Sequence, residues 1–187
     1  MMYQRYPKEV VLTDGKEVVL RPVDRTDLEK LVSFYRKLPP EDLWFFKEDP
    51  CKPEVIQQWI ENQERGNAFS IVAVHEEEVV AHASLLWRSG GGRKHMGKLR
   101  VMVGEPFRRK RLGTWMVFDL IKRAMDLGLR KMRADFVVGF EDLAIEAVQK
   151  LHFTKECVIR DYVRDQNGRY HDCQIMIRDL HEQWGDF

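Results

Sequence analysis

The segment from Leu99 to Met116 restricts the possible folds of this 187-residue chain more than any other part of it. It begins with the apolar run Leu99 to Val103, passes through a turn that contains Pro106, and enters an apolar stripe at helical spacing from Leu112 to Leu127. An apolar run of strand length before an amphipathic stripe predicts a strand, a turn and a helix in direct succession. Such a unit is typical of folds in which helices pack onto a sheet.

Periodicity elsewhere predicts one mixed α/β domain that covers residues 1–187. No internal repeat and no long linker divides the chain. The predicted elements are a hairpin near 10–21, helices near 28–38 and 53–60, strands near 69–74, 79–86 and 99–103, a helix at 112–127, a strand at 132–138, a helix at 141–151, and strands near 154–163 and 169–177.

The balance of charge limits the classes of partner. The chain has 31 Lys plus Arg against 30 Asp plus Glu, a formal net charge of +1, so a general affinity for nucleic acid or for an anionic membrane is not expected. No apolar run approaches the ~20 residues of a membrane span. The start of the chain, Met1 to Pro7, lacks the apolar core of a signal peptide, which favours the cytoplasm.

The cysteines indicate neither a disulfide framework nor a metal site. Cys51, Cys157 and Cys173 are odd in number and far apart, with no CxxC pair and no nearby histidine at zinc-ligand spacing. We expect free and mostly buried thiols, and no bound metal.

The turn before the long helix is a candidate anion site. The first turn of a helix has free backbone N–H groups and a partial positive charge, both of which favour a phosphate. Four consecutive cations, residues 108–111, would add to this, and Gly113 would allow close backbone approach. The alternatives are a solvated basic loop or a small nucleic-acid patch. No Gly-Lys-Ser/Thr follows, so it is not a Walker A loop.

The same residues resemble the CoA-binding signature of the GNAT superfamily, which is Arg or Gln, two residues, Gly, one residue, then Gly or Ala. Arg108 takes the first position and Gly113 the last, while Arg111 stands where the inner Gly is usual. The order of strands and helices from about Leu20 to Ile177 is also similar to that fold. The N-terminal half, in residues 14–23 with Asp27 and then in residues 34–43, is similar to Pat-type protein lysine acetyltransferase domains.

The resemblance implies a central, mostly antiparallel sheet that is flanked by helices and splayed at the CoA site by a bulge in the strand 99–103. It implies an N-acetyltransferase that moves acetyl from acetyl-CoA to a primary amine, either a protein lysine or a small molecule. The alternative is a regulatory domain that binds acyl-CoA with little turnover. A homodimer is compatible with the sequence. The implied cofactor-binding residues are Val101, Met102, Val103, Arg108, Arg109, Lys110, Arg111, Leu112, Gly113 and Thr114.

Three side chains that are common at the family's reaction centre are replaced. Lys98 stands where Pat-like enzymes have a Glu, Val148 where a Tyr is common, and Glu141 where an Asn is common. Another group would then move the protons, the reaction would depend on positioning alone, or the domain would be degenerate and poorly active. Candidate substitutes as acid or base are His95, Glu105 and His82.

Two aromatic segments have a structural and a functional interpretation. Residues 44–46, Trp-Phe-Phe, border the acceptor site in related proteins, although core packing is the simpler interpretation. Tyr162 and Tyr170 could contact the acceptor or pack within strands. The stripe Trp115, Met116, Leu120, Ile121 and Ala124 is predicted to be core.

Overall fold

The computed structural model describes residues 6–180, and the expectation for the first residues of the chain therefore lies almost entirely outside the described part. Within it, eight strands form one sheet in the order β1-β2-β3-β4-β5-β6-β8-β7. The strands are β1 (Lys8–Val11), β2 (Glu17–Pro22), β3 (Ala68–His75), β4 (Glu78–Trp87), β5 (Met96–Val103), β6 (Lys131–Val137), β7 (Thr154–Arg164) and β8 (Tyr170–Asp179).

Five α-helices connect the strands of the described region: α1 (Leu28–Arg36), α2 (Pro40–Leu43), α3 (Pro53–Glu64), α4 (Leu112–Asp126) and α5 (Asp142–Gln149). Pro40 and Pro53 occupy the first turns of α2 and α3, where a missing N–H costs nothing. Neighbouring strands are antiparallel except for β5 and β6, which are parallel. The predicted fold class, a mixed α/β structure with a mostly antiparallel sheet, is confirmed.

Helices cover both faces of the sheet and divide the core in two. On one face, α4 packs against the sheet through Met116 and Leu120, both fully buried, together with Leu99, Val101 and Val103 of β5. On the other face, α1 and α3 pack around Tyr35 and Ile56, and Met102 of β5 joins that cluster. Alternate residues of β5 therefore face opposite layers, as the period of a strand requires.

Three local expectations are corrected. Trp115 is 48% exposed, because the buried stripe of α4 runs through Met116, Leu120 and Ala124 at intervals of four, and Trp115 lies about 100° to one side of it. Cys157 is exposed on β7 rather than buried. Strand β5 begins at Met96, three residues earlier than its apolar run, since Gly97 and Lys98 pair with β6.

The sheet opens between β5 and β6. Their pairing extends only from Met96↔Lys131 to Lys98↔Arg133, and within the described residues no register joins the strands beyond that point. The predicted splay is confirmed, and it leaves a gap that widens toward Val103 and Val137. No helix between residues 6 and 180 is long and apolar enough to cross a bilayer.

Candidate active site

Backbone groups line both sides of the gap between β5 and β6. The Gly104 N–H donates to the Val80 carbonyl of β4 at 2.9 Å. Along an antiparallel strand, successive residues direct their backbone groups to opposite sides. The backbone groups of Val101 and Val103 therefore point away from β4 and into the gap. On the other side, the Val138 N–H donates to Asp172 at 3.0 Å, so the backbone of Val137 faces the gap. An extended chain placed there could hydrogen-bond to the β5 wall, whereas the Val137 N–H donates to Glu141 and the Val137 carbonyl accepts from the N–H groups of Phe140 and Glu141.

The same alternation directs the backbone groups of Met102 away from the gap. Its backbone groups point to β4, where Met102 is opposite His82, and its side chain packs against the α1 and α3 layer. The bulge implied by the resemblance is also absent from the pairing of β4 with β5, which runs from Ala81↔Val103 to Trp87↔Gly97 without a shift. The gap therefore exists because β6 and β5 diverge, not because β5 is interrupted.

The turn between β5 and α4 includes a left-handed backbone conformation at a residue that is not glycine. Arg111, at the position of the usual inner Gly, has φ +66° and is the N-cap residue of α4. A left-handed conformation costs an ordinary residue about 1–2 kcal/mol. The backbone at this position therefore has the left-handed conformation that a glycine adopts readily, although the residue is an arginine.

The first turn of α4 leaves backbone donors free. Within residues 6–180 no acceptor is found for the N–H groups of Leu112, Gly113 and Thr114, and the Trp115 N–H is the first to bond within the helix, at 3.1 Å from the Arg111 carbonyl. The N-cap side chain makes no capping hydrogen bond. Three adjacent donors at a helix N-terminus form a site that suits an anion.

Only two of the four cations in the turn are available to an anion. Arg108 forms an ion pair with Asp42 of α2 and donates through Nε to the Val103 carbonyl at 2.9 Å. Lys110 pairs with Asp14 of the first hairpin at 2.5 Å. Arg109 and Arg111 are exposed and have no ion pair within the described part of the chain. The prediction that all four cations deepen the anion site is therefore corrected, because two carboxylates from distant segments neutralise half of them.

His82 is buried in the core rather than in the gap. The Tyr35 hydroxyl lies 2.8 Å from its Nδ1, and the Ser84 hydroxyl lies 3.2 Å from its Nε2. Burial and, to a smaller extent, the positive charge of Arg100 together lower the pKa of His82 to about 3. A histidine that stays neutral, with both ring nitrogens hydrogen-bonded behind the sheet, does not suit a general base.

The positions of His95 and Glu105 favour neither as a catalytic residue. His95 precedes β5 at the closed end of the gap, where its carbonyl accepts from the Arg130 N–H at 2.8 Å. At ~3.3 Å per residue, β5 carries the chain about 26 Å from His95 to Val103. Glu105 is exposed in the turn after β5, and no described residue hydrogen-bonds to its carboxylate.

Lys98, which replaces the usual glutamate, forms an ion pair. It lies 2.8 Å from Asp135 of β6, which also binds Arg133 at 2.5 Å. Burial raises the pKa of Asp135, but the hydrogen bonds from Arg133 and Lys98 outweigh it and hold the pKa below its ordinary value. Asp135 is thus an anion committed to two cations.

Glu141 is the residue at this site that sequence reasoning missed as a candidate. Its carboxylate accepts the Val137 N–H at 2.7 Å, on the side of β6 that faces the gap. Burial raises the pKa of Glu141, and the negative charges of Asp42 and Asp135 add to this. The sequence identified Glu141 only as the loss of an Asn. The available signal was a carboxylate placed between the end of a strand and the start of a helix.

Aromatic rings pack together beside the end of β6, where the Phe140 N–H donates to the Val137 carbonyl. Phe45 packs edge-on against Phe140 at 5.3 Å, and Phe140 against His171 of β8 at 4.8 Å. The Trp44 indole donates to the Arg164 carbonyl at 2.6 Å, which links the 44–46 segment to the last hairpin. Phe46 packs instead on Tyr35 in the core.

Comparison with known proteins agrees with this geometry. YwnH of Bacillus subtilis, whose name assigns it provisionally to the phosphinothricin acetyltransferases, is 22% identical over 166 residues, covering 87% of this chain and 99% of YwnH. A Streptococcus pneumoniae GNAT acetyltransferase has a similar structure, with a TM-score of 0.77 at 17% identity, covering 87% of this chain and 99% of the other. A ribosomal-protein-alanine N-acetyltransferase from Brucella melitensis gives 0.74 at 24% identity, covering 86% and 98%.

A further structure, of yncA from Salmonella typhimurium, was determined with acetyl-CoA and has a TM-score of 0.76 at 21% identity, covering 89% of this chain and 96% of the other. These likenesses do not favour the regulatory alternative. Residues 29–153 match the acetyltransferase (GNAT) family, which is more than half of the chain. The chain therefore belongs to the acetyltransferase (GNAT) family and is an acetyl-CoA-dependent N-acetyltransferase.

Proposed function

We propose that acetyl-CoA binds along the gap between β5 and β6 with its diphosphate at the start of α4. The observation that carries this is the group of three free N–H donors of Leu112, Gly113 and Thr114 beside the open end of the gap. Arg109 and Arg111 supply positive charge from solvent. Arg108 and Lys110 act indirectly, since their ion pairs with Asp42 and Asp14 hold the turn in place.

The pantetheine arm is an extended chain with two amides, and the β5 wall of the gap offers backbone groups to hold it. Val101 presents a backbone N–H and carbonyl there, and Val103 presents an N–H, while the Val103 carbonyl is already occupied by Arg108. We propose that the Val103 N–H faces the thioester carbonyl and stabilises negative charge on its oxygen during transfer. In this arrangement Met102 makes no hydrogen bond to acetyl-CoA and contributes only as part of strand β5.

The acceptor enters from the face that carries Glu141 and the rim of Phe45 and Phe140. Aromatic faces and a carboxylate suit an ammonium group, which is the ordinary state of a primary amine before reaction. We propose a protein lysine as the acceptor, on the similarity of residues 14–23 to Pat-type domains, with a small-molecule amine as the alternative. We further propose that residues 1–187 form one domain that acts in the cytoplasm, either as a monomer or as a homodimer.

Calorimetric titration and a thiol-release assay test this function. The protein should bind both acetyl-CoA and CoA, and should release thiol from acetyl-CoA when a lysine peptide or a small primary amine is added. Absence of heat and of any thermal shift at millimolar acetyl-CoA would contradict the binding site. Binding without release above the background measured in the absence of acceptor would instead support the regulatory alternative.

A further inference from the structure

We infer that Glu141 is the general base of the acetyl transfer and takes a proton from the ammonium group of the acceptor. The inference rests on the proposed binding of acetyl-CoA in the gap between β5 and β6. It assigns to the end of β6 a role that a glutamate on β5 has in related enzymes, where this chain has Lys98.

The first argument is the position of the carboxylate. The Val138 N–H bonds to β8, so the preceding N–H, that of Val137, points to the opposite side of β6, where β5 has diverged. Since Oε2 of Glu141 accepts that N–H at 2.7 Å, the carboxylate must lie within the open part of the gap. Val101 and Val103, the proposed contacts of the pantetheine arm, face it from the other wall.

The second argument is that the structure leaves part of this carboxylate unused. Glu141 is the N-cap residue of α5, but its side chain makes no capping hydrogen bond to that helix. Within residues 6–180, Oε1 has no hydrogen-bond partner, yet it is not among the buried polar atoms that lack one, so it remains open to solvent. One oxygen therefore orients the group and the other is free to accept a proton.

The charges around Glu141 favour proton uptake. Burial is the main cause of its raised pKa, the Val137 hydrogen bond opposes it, and Asp42 and Asp135 raise it further. A carboxylate with a raised pKa is a better base near neutral pH than an ordinary one. The charged and titratable groups of the surrounding elements are Asp42 on α2, Arg108 in the turn before α4, Lys98 on β5, Arg133 and Asp135 on β6, and His171 and Cys173 on β8.

The chemistry balances with this one base. The acceptor ammonium gives one proton to Oε1 of Glu141, and the freed nitrogen lone pair forms a bond to the thioester carbonyl carbon. The carbon–sulfur bond breaks, and its electron pair goes to sulfur. A second proton from the nitrogen passes to the thiolate, which leaves an amide and a CoA thiol, and Glu141 returns its proton to water.

The test uses Glu141→Gln, which keeps an acceptor for the Val137 N–H, and Glu146→Gln as a matched control on an exposed site of the same helix. The acceptors are a lysine-free peptide with a free α-amino group and a blocked peptide with one lysine, whose ammonium pKa values are about 8 and 10.4. For each protein, kcat and kcat/KM are measured from pH 5 to 10 by thiol release, acetyl-CoA affinity by calorimetry, and folding by thermal melting.

Glu141→Gln should keep acetyl-CoA affinity and folding but lose about 10²- to 10⁴-fold in kcat near pH 7. In the wild-type protein, one acidic limb of the pH profile should stay fixed when the acceptor is changed, and that limb should vanish in Glu141→Gln. The control should match the wild type in all three measurements.

Three outcomes separate the claims. Unchanged kcat in Glu141→Gln overturns the inference. A reduced kcat with the fixed acidic limb of the pH profile still present also overturns it, because that result is expected of a residue that only positions the substrate. If the wild-type protein binds no acetyl-CoA, or acetylates neither peptide nor any small amine tested, the proposed function itself fails and the inference fails with it.

Discussion

Replacing Gly113 with a glutamate should weaken acetyl-CoA binding while leaving the protein folded. A Cβ built on Gly113 lies 3.5 Å from Cγ2 of Val103 and 3.9 Å from Cγ1 of Val101, both ordinary contacts. The protein itself therefore has room for a side chain here, on the side of α4 that faces β5. The position needs a glycine only if something outside the protein approaches it.

The magnitude follows from the added charge. One negative charge about 5 Å from a phosphate charge repels it by about 0.8–3.3 kcal/mol for an effective dielectric constant between ~80 and ~20. Since each 1.4 kcal/mol is a factor of ten, the dissociation constant of acetyl-CoA should rise between about fourfold and about 200-fold. Stability should not fall, because a glutamate in the first helical turn gains about 0.3–1 kcal/mol from the helix dipole and replaces an unfavourable glycine.

The assay is calorimetric titration of wild type, Gly113→Ala, Gly113→Gln and Gly113→Glu, with thermal melting of each unliganded protein. The glutamine has the length of glutamate without its charge, so the difference between them isolates electrostatics, and that difference should shrink at high salt. Equal affinities in the glutamate and glutamine variants and in the wild type would refute the placement of the diphosphate at α4.

Three further predictions concern stability. Arg111→Gly should raise the free energy of unfolding by about 0.5–1 kcal/mol. Removing the cost of the left-handed conformation, about 1–2 kcal/mol, outweighs the extra conformational entropy that a glycine loses on folding. The midpoint of urea unfolding measures the change, and a lower midpoint in the variant would contradict the prediction. The unfolded chain protonates His82 near pH 6.5, whereas the folded protein does so only near pH 3, so stability should fall as pH drops below 6.5 by up to about 1.4 kcal/mol per pH unit. In His82→Leu, urea unfolding should show a flatter dependence between pH 6.5 and 5, and stability near pH 7 should be lower by about 1–3 kcal/mol because the Tyr35 hydroxyl is left buried without its partner. Gly97→Ala should lose about 1–3 kcal/mol of unfolding free energy, since its Cβ would meet Cδ1 of Leu85 at 2.5 Å, and an unchanged melting temperature would show that Leu85 repacks freely.

Much of the fold could be predicted from the sequence, because most of its elements are specified by neighbouring residues. Helical spacing identified α1, α3, α4 and α5, and Pro53 marked the start of α3, whereas the short helix α2 was not predicted. The strand, turn and helix around residues 108–111 were also predictable, since their signals lie within a few residues of one another. Short-range periodicity and turn chemistry carry this information without any knowledge of the tertiary structure.

The chemistry of the site depended on contacts between distant segments, and only the tertiary structure decided it. Arg108 pairs with Asp42 and Lys110 with Asp14 across 66 and 96 positions. No local pattern therefore distinguishes these paired cations from Arg109 and Arg111, which have no ion pair among residues 6–180. The sequence does not distinguish His82 from a catalytic histidine, whereas the structure shows that it is buried and hydrogen-bonded to Tyr35. Glu141 gains its role because β6 parts from β5 and turns one backbone N–H toward it. A sequence specifies which residues can ionise, whereas burial and partners in the folded chain determine which of them do so at a useful pH.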